Sequence, residues 1–207
     1  WGTIWLFNGS KDNLITYATI KNAIIGILCD GNQEVVIDKL TIKNSQIYNS
    51  SNFGILARGT SISGENVVIN NAGQSAFAGT YGGKYNFTHC TIANYWTSGF
   101  RQFPTLLLNN FIIDEDNSVF TNDLLEANFN NCIIYGNDNP ELILEEENGK
   151  MKARQVQRNI GEVKPFLGKL VGRVLGNKFD PEVLVNLEGE TKEDVINALD
   201  INDLSNQ

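Results

Sequence analysis

Five stretches of the chain can be laid one under another: Tyr17-Ala-Thr-Ile-Lys-Asn22, Lys39-Leu-Thr-Ile-Lys-Asn44, Asn66-Val-Val-Ile-Asn-Asn71, His89-Cys-Thr-Ile-Ala-Asn94 and Asn131-Cys-Ile-Ile-Tyr-Gly136. Each has a small or apolar residue, an isoleucine two places on, and after two more an asparagine or, in the last, a glycine. The anchors Ile20, Ile42, Ile69 and Ile92 are 22, 27 and 23 residues apart, and Ile134 follows after 42. A recurrence of that length marks a solenoid, in which one short unit stacks on the next. Alternate side chains of a strand share a face. The anchors are therefore expected to point inward in one stack, with Ala18, Leu40, Val67, Cys90 and Cys132 alongside. Asn22, Asn44, Asn71 and Asn94 have their own reason to recur, because asparagine tolerates the left-handed conformation and bonds its own backbone, so it can turn a corner between strands. Gly136 meets the same need.

A second apolar strand follows the corner, as Gly26-Ile-Leu28, Gly54-Ile-Leu-Ala57, Ser75-Ala-Phe-Ala78 and Ser98-Gly-Phe100. The 42 residues between Ile92 and Ile134 exceed one ordinary coil. They are expected to hold a further coil around 106–113 and an excursion through 114–123. An antiparallel sandwich also spaces its strands regularly, but it does not require the same asparagine at the same phase.

Working outward, the 207 residues, 42% of them hydrophobic, suffice for one buried core and a modest appendage. A net charge of −8 argues against a nucleic-acid partner, which needs a basic face. No apolar run is long enough for a transmembrane helix. Because the sequence opens at Trp1 without Met or a leader, earlier coils and a signal peptide are expected upstream. Cys29, Cys90 and Cys132 lack zinc-ligand spacing and read as core residues. Cys90 and Cys132 share a repeat phase; an intervening coil would put them about 9.5 Å apart, beyond disulfide reach, whereas direct neighbours could bond.

Composition changes near residue 150, beyond which Phe166 and Phe179 are the only aromatics. Two domains are expected, 1–148 and 149–207. The second reads as short helices: Leu167, Leu170, Val171, Val174 and Leu175 form one helical stripe, Asp180-Pro-Glu182 opens a second helix, and Thr191-Lys-Glu-Asp194 starts a third. Its expected role is to cap the solenoid or dock a partner.

The opening Trp1-Gly-Thr-Ile-Trp-Leu-Phe-Asn-Gly-Ser10, the repeated Ile-Lys-Asn and the run 83–96 resemble secreted or lipid-anchored bacterial right-handed β-helix proteins of the pectin-lyase-like type. The resemblance covers about 1–145. It implies an all-β right-handed parallel β-helix, to which the residue pattern of the tail, where no family resemblance is found, adds a short α-helical C-terminal segment. It further implies an extracytoplasmic protein, secreted or at the cell surface or outer membrane, with a lipid anchor upstream as one arrangement. Fold does not fix function, and this fold serves lyases, hydrolases, adhesins and inactive proteins.

The polygalacturonase signatures Asn-Thr-Asp, paired Asp-Asp, Gly-His-Gly and Arg-Ile-Lys are absent, so no catalytic residue is assigned. Asp114, Asp116 and Asp123, near Glu126, are weak candidates for calcium, although short acidic runs usually face water; no other cofactor is expected. His89 lacks a catalytic partner in sequence. Tyr81, Tyr85, Tyr95, Trp96, Arg101 and Phe103, with Gln102, form a band of rings and hydrogen-bonding groups suited to sugar faces and edges. The expected function is non-catalytic binding of a glycan or another envelope protein. The alternatives are a polysaccharide lyase or glycoside hydrolase with coils missing, and a structural subunit of an envelope or fibre assembly.

Overall fold

A computed structural model describes residues 1–31, 37–137 and 141–147. The domain division and the helices expected after residue 149 lie outside them.

The strands are β1 (Thr3–Leu6), β2 (Asn13–Thr16), β3 (Thr19–Lys21), β4 (Ile25–Asp30), β5 (Leu40–Ser50), β6 (Ile55–Ala72), β7 (Phe77–Thr88), β8 (Thr91–Asn94), β9 (Leu106–Asn109), β10 (Phe111–Ile113), β11 (Val119–Thr121), β12 (Leu124–Asn130), β13 (Ile133–Gly136) and β14 (Leu142–Glu145). Among the described residues twelve of these strands pair in parallel, and β10 and β11 form an antiparallel hairpin. Each coil has three sides. One is β1, β4, the start of β6, the start of β7, β9 and β14. The second is β2, the start of β5, the middle of β6, the end of β7 and β12. The third is β3, the end of β5, the end of β6, β8 and β13.

The anchor stack needs one correction. In register the third side reads Ile20, Ile47, Ile69, Ile92, Ile134, so Ile47 and not Ile42 belongs to it. Ile42 lies on the second side, between Ile15 and Gly64, and the stack continues through Phe87 and Phe129. The physical reason is that the motif occurs twice per coil: Leu40-Thr-Ile-Lys-Asn44 is followed at once by Ser45-Gln-Ile-Tyr-Asn49, and each ends at a corner with the same backbone demand. Asn22, Asn49 and Asn71 turn one corner at φ 60°, 57° and 51°. Tyr17, Asn44, Asn66, His89 and Asn131 turn the other at φ 53°, 49°, 52°, 54° and 52°. Ser45 likewise replaces Leu40 beside Val67, while Leu40 stacks on Ile62.

These stacks form one core, in which Ile27, Ile42, Ile47, Ile55, Ile62, Ile69 and Ile92 are wholly buried. Burying a side chain of that size contributes about 1.5–3 kcal/mol. Toward the later coils the filling becomes aromatic. A Cβ at Gly64 would strike the ring of Phe87, so the glycine leaves the volume that Phe87 occupies. Phe87 stacks on Phe129 with centroids 5.4 Å apart, and Phe77 meets Phe87 edge-on at 5.0 Å.

The 42 residues between Ile92 and Ile134 contain no additional coil. β13 pairs directly with β8 and β12 with β7, so this is one coil enlarged by a crossing segment at 95–105 and by the β10–β11 hairpin, whose tip and second strand fall in the expected excursion while its first strand takes residues 111–113 of the expected further coil. The second-strand reading holds for Ile27, Ile55 and Phe77, which align, but fails for Ser98-Gly-Phe100. Phe100 is 86% exposed, and Leu106 takes the place beside Phe77.

Candidate functional site: a groove along an asparagine corner

The corner between the third and first sides sets Asn22, Asn49 and Asn71 on successive coils. Neighbouring strands are about 4.8 Å apart, so the three side chains form a ladder parallel to the solenoid axis. Asn71 donates through Nδ2 to Oδ1 of Asn49 at 3.3 Å, orienting the amides in series. The next rung, Asn94, is different, because it is buried and works on the backbone. Its Oδ1 accepts from the N–H groups of Ala72 (3.0 Å) and Trp96 (3.3 Å), and its Nδ2 donates to the carbonyls of Ala72 (2.9 Å) and Gln74 (2.8 Å). Asn94 thus ends the exposed ladder and fixes where the enlarged coil leaves the helix.

What leaves there is Tyr95-Trp-Thr-Ser98, which forms one wall of a groove of about 510 Å³. The floor and opposite wall come from the asparagine ladder, Ala23, Ile24, Ser51 and the indole of Trp1. Trp1 is held by donation from Nε1 to the Lys21 carbonyl at 2.7 Å. Trp96 lies against Gly73: a Cβ there would sit 3.4 Å from its Cε2 and would collide with the Ser51 carbonyl. Only glycine lets the ring and the turn share that space. Tyr95 is 46% exposed, with its ring 5.9 Å from that of Tyr135. The lining contains aromatic, amide, hydroxyl and small apolar side chains and no Asp, Glu, Lys, Arg or His.

Of the band read from sequence, the structure brings Tyr95 and Trp96 together here and disperses the rest. Tyr85 is enclosed in the core, edge-on to Phe77 at 5.3 Å, with its hydroxyl donating to the Gly82 carbonyl at 2.7 Å. Burial pushes that hydroxyl far above the ordinary tyrosine range. Tyr85 is therefore unavailable to a ligand. Its inward direction follows from pairing with Ile62, which the sequence pattern did not reveal. Arg101 is also buried: its guanidinium clasps both oxygens of Glu141 at 2.9–3.1 Å and donates to Thr105 Oγ1 at 3.0 Å. Glu141 also accepts from the Thr105 N–H at 3.2 Å and its hydroxyl. Arg101 holds the enlarged coil to the turn before β14 and does not face a ligand. Tyr81 sits at a different corner at φ 60°, its N–H bonded to Asn109 Oδ1 at 3.0 Å. Gln102 is exposed, and Phe103 approaches Phe53 at 6.5 Å; neither lines the groove.

Of the lining, sequence reasoning singles out only Tyr95 and Trp96 as binding candidates; it reads Asn22 and Asn71 as corners alone, and Trp1, Asn49 and Ser51 are among those it misses. The second copy of the repeat, ending at Asn49, was the available signal.

Asp114 and Asp116 lie at the tip of the β10–β11 hairpin, where Asp114 Oδ1 accepts from the N–H groups of Asp116 (3.0 Å) and Ser118 (2.8 Å). That carboxylate is occupied in closing the turn. The Asp123 carbonyl accepts from the Gly83 N–H at 3.0 Å. Among the described residues no group of three or more His, Cys, Asp or Glu is placed to hold a metal ion. Among the described residues no helix is long and apolar enough to cross a membrane.

The profile of the family described as "Right handed beta helix region" matches residues 25–160. No curated protein and no solved structure matches the chain.

Proposed function

Since the chain belongs to the right-handed β-helix family, whose stacked coils make a rigid ruled surface, we propose that it binds an uncharged glycan in the asparagine groove without transforming it. The observation that carries this reading is the groove itself, in which Trp96 and Tyr95 face an amide ladder across a lining that, among the described residues, holds no carboxylate or cationic side chain. Sugar rings present apolar C–H faces to aromatic rings and hydroxyls to amides, and such sites need few polar groups if these are well placed. The missing cations disfavour uronic-acid polymers, whose carboxylates seek Arg or Lys. The missing carboxylates disfavour glycoside hydrolysis, which uses a pair of acids flanking the bond. An extracytoplasmic location, secreted or at the cell surface, belongs to the same proposal, because polymeric glycans are met there.

Titration calorimetry with neutral β-linked oligosaccharides tests it. Binding that strengthens with chain length and then levels off is expected, with Trp96→Ala weakening it by about tenfold, or 1.4 kcal/mol, at unchanged thermal stability. Failure of every neutral oligosaccharide to bind, or release of reducing ends or unsaturated products on incubation, would reject the reading.

A further inference from the structure

Placing β13 directly on β8 makes neighbours of two cysteines that the length of the intervening chain seemed to separate. Ile133 aligns with Thr91 and Ile134 with Ile92, and the Ile133 N–H donates to the Cys90 carbonyl at 2.9 Å. Cys132 therefore stands one strand spacing, about 4.8 Å, from Cys90, inside the range of about 4.4–6.8 Å over which Cα atoms are bridged. Both side chains turn inward. The Cys90 N–H donates to Cys132 Sγ at 3.4 Å, so the later sulfur leans toward the earlier coil. The Val67 N–H in turn donates to Cys90 Sγ at 3.4 Å.

We propose that Cys90 and Cys132 are a disulfide-forming pair, joined across two successive coils by reaction with a low-molecular-weight disulfide. One of the two thiolates attacks one sulfur of the reagent and expels a thiolate, leaving a mixed disulfide on that cysteine. The other thiolate then attacks the cysteine sulfur of the mixed disulfide and expels the second. The two protein protons pass to the leaving thiolates, so one reagent disulfide is reduced to two thiols as one protein disulfide forms. Either thiol can react first: the Cys132 thiol donates to the Asn130 carbonyl at 3.3 Å and the Cys90 thiol to the Thr88 carbonyl at 3.2 Å. The bond would close the chain segment that carries the groove wall and the β10–β11 hairpin.

Cys29 is the internal control. It lies in β4 beside Ala57, away from both, and burial pushes its thiol up to about 12. The experiment exposes the native full chain to oxidised glutathione, alkylates in denaturant, and reads intact mass and a peptide map. The three free thiols are expected to fall to one, on Cys29, with a monomer lighter by two hydrogens and a cross-linked peptide joining Cys90 to Cys132. Cys132→Ser should keep two alkylatable thiols, on Cys29 and Cys90, and give no cross-linked peptide. Three alkylated thiols in the treated wild-type chain, a link that includes Cys29, or a disulfide between two chains would overturn the proposal. Should Cys132→Ser fail to fold, the wild-type map decides alone.

Discussion

From Ile47 to Ile69 to Ile92 the chain takes 22 and then 23 residues to complete a coil, whereas from Ile92 to Ile134 it takes 42, and Ile134 still stacks on Ile92. In the regular coils almost every residue has a counterpart above and below, so register is specified by inward-facing side chains, and a slip of one residue would turn them outward. The enlarged coil keeps those counterparts in β9, β12 and β13 and places its extra length between them, as the 95–105 crossing and the hairpin. Its added segments cannot share the ladder and are held by side chains instead: Asn94 on the backbone of the preceding coil, and Arg101 on Glu141 and Thr105. The difference shows that a solenoid accepts insertions at its corners at small cost to the core, and that the accepted segment supplies one wall of the groove, as loops on a rigid scaffold commonly do.

The comparison breaks most completely in the regular region. Ile69→Asp should prevent folding, because the side chain is fully buried with apolar neighbours and an unpaired charge there has no partner. A soluble variant with a cooperative thermal transition would contradict the stack. In the enlarged coil, Glu141→Ala leaves the buried Arg101 guanidinium without its carboxylate and should cost about 3–5 kcal/mol in chemical denaturation. A loss near zero would show that the crossing segment does not depend on that clasp.

At the junction of the two regions, Gly73→Ala forces a methyl against the Ser51 carbonyl and the Trp96 ring. It should destabilise by about 1–3 kcal/mol and weaken glycan binding as well. Loss of stability with binding intact would separate the turn from the groove. The smallest effect belongs to the surface pair on the first side, where Arg58 donates to Asp30 at 2.5 and 2.6 Å and Trp5 Nε1 donates at 2.6 Å. Burial opposes the charged carboxylate, but the bonds from Arg58 and Trp5 outweigh it and the Asp30 pKa is lowered. A lowered folded-state pKa means stability present above the unfolded value near 3.9 and lost as pH falls through the folded one. Arg58→Ala should cost less than about 1 kcal/mol at neutral pH and nothing once Asp30 is protonated in both states. A penalty unchanged by acid would assign the Arg58 contribution to packing.

Much of the fold was legible because a coil must repeat its inward residues and its left-handed corners, and both leave marks in sequence. The parallel solenoid follows from the recurrence at Ile20, Ile69 and Ile92 and from the left-handed corners at Asn22 and Asn71; Asn94 and Gly136, expected to turn the same corner, are not left-handed, and Asn94 bonds the backbone of the preceding coil instead. The phase of Ile42 was not legible, because the same five-residue pattern ends at Asn44 and again at Asn49, and local chemistry is equal at both corners.

Of the site, Tyr95 and Trp96 could be singled out as aromatic and polar-flanked. Whether a ring faces solvent, as Tyr95 does, or the core, as Tyr85 does, depends on which strand of the neighbouring coil lies beside it. The amino-acid sequence by itself determined the repeat, the corner residues and the aliphatic core, since these answer to the local backbone and to period-two alternation. Tertiary structure alone decided that 42 residues make a single coil, that Cys90 adjoins Cys132, that Arg101 is spent on Glu141, and that Trp1, Asn49 and Trp96 meet across one groove. Each of those joins residues far apart in the chain, fixed by stacking and by burial of the shared core.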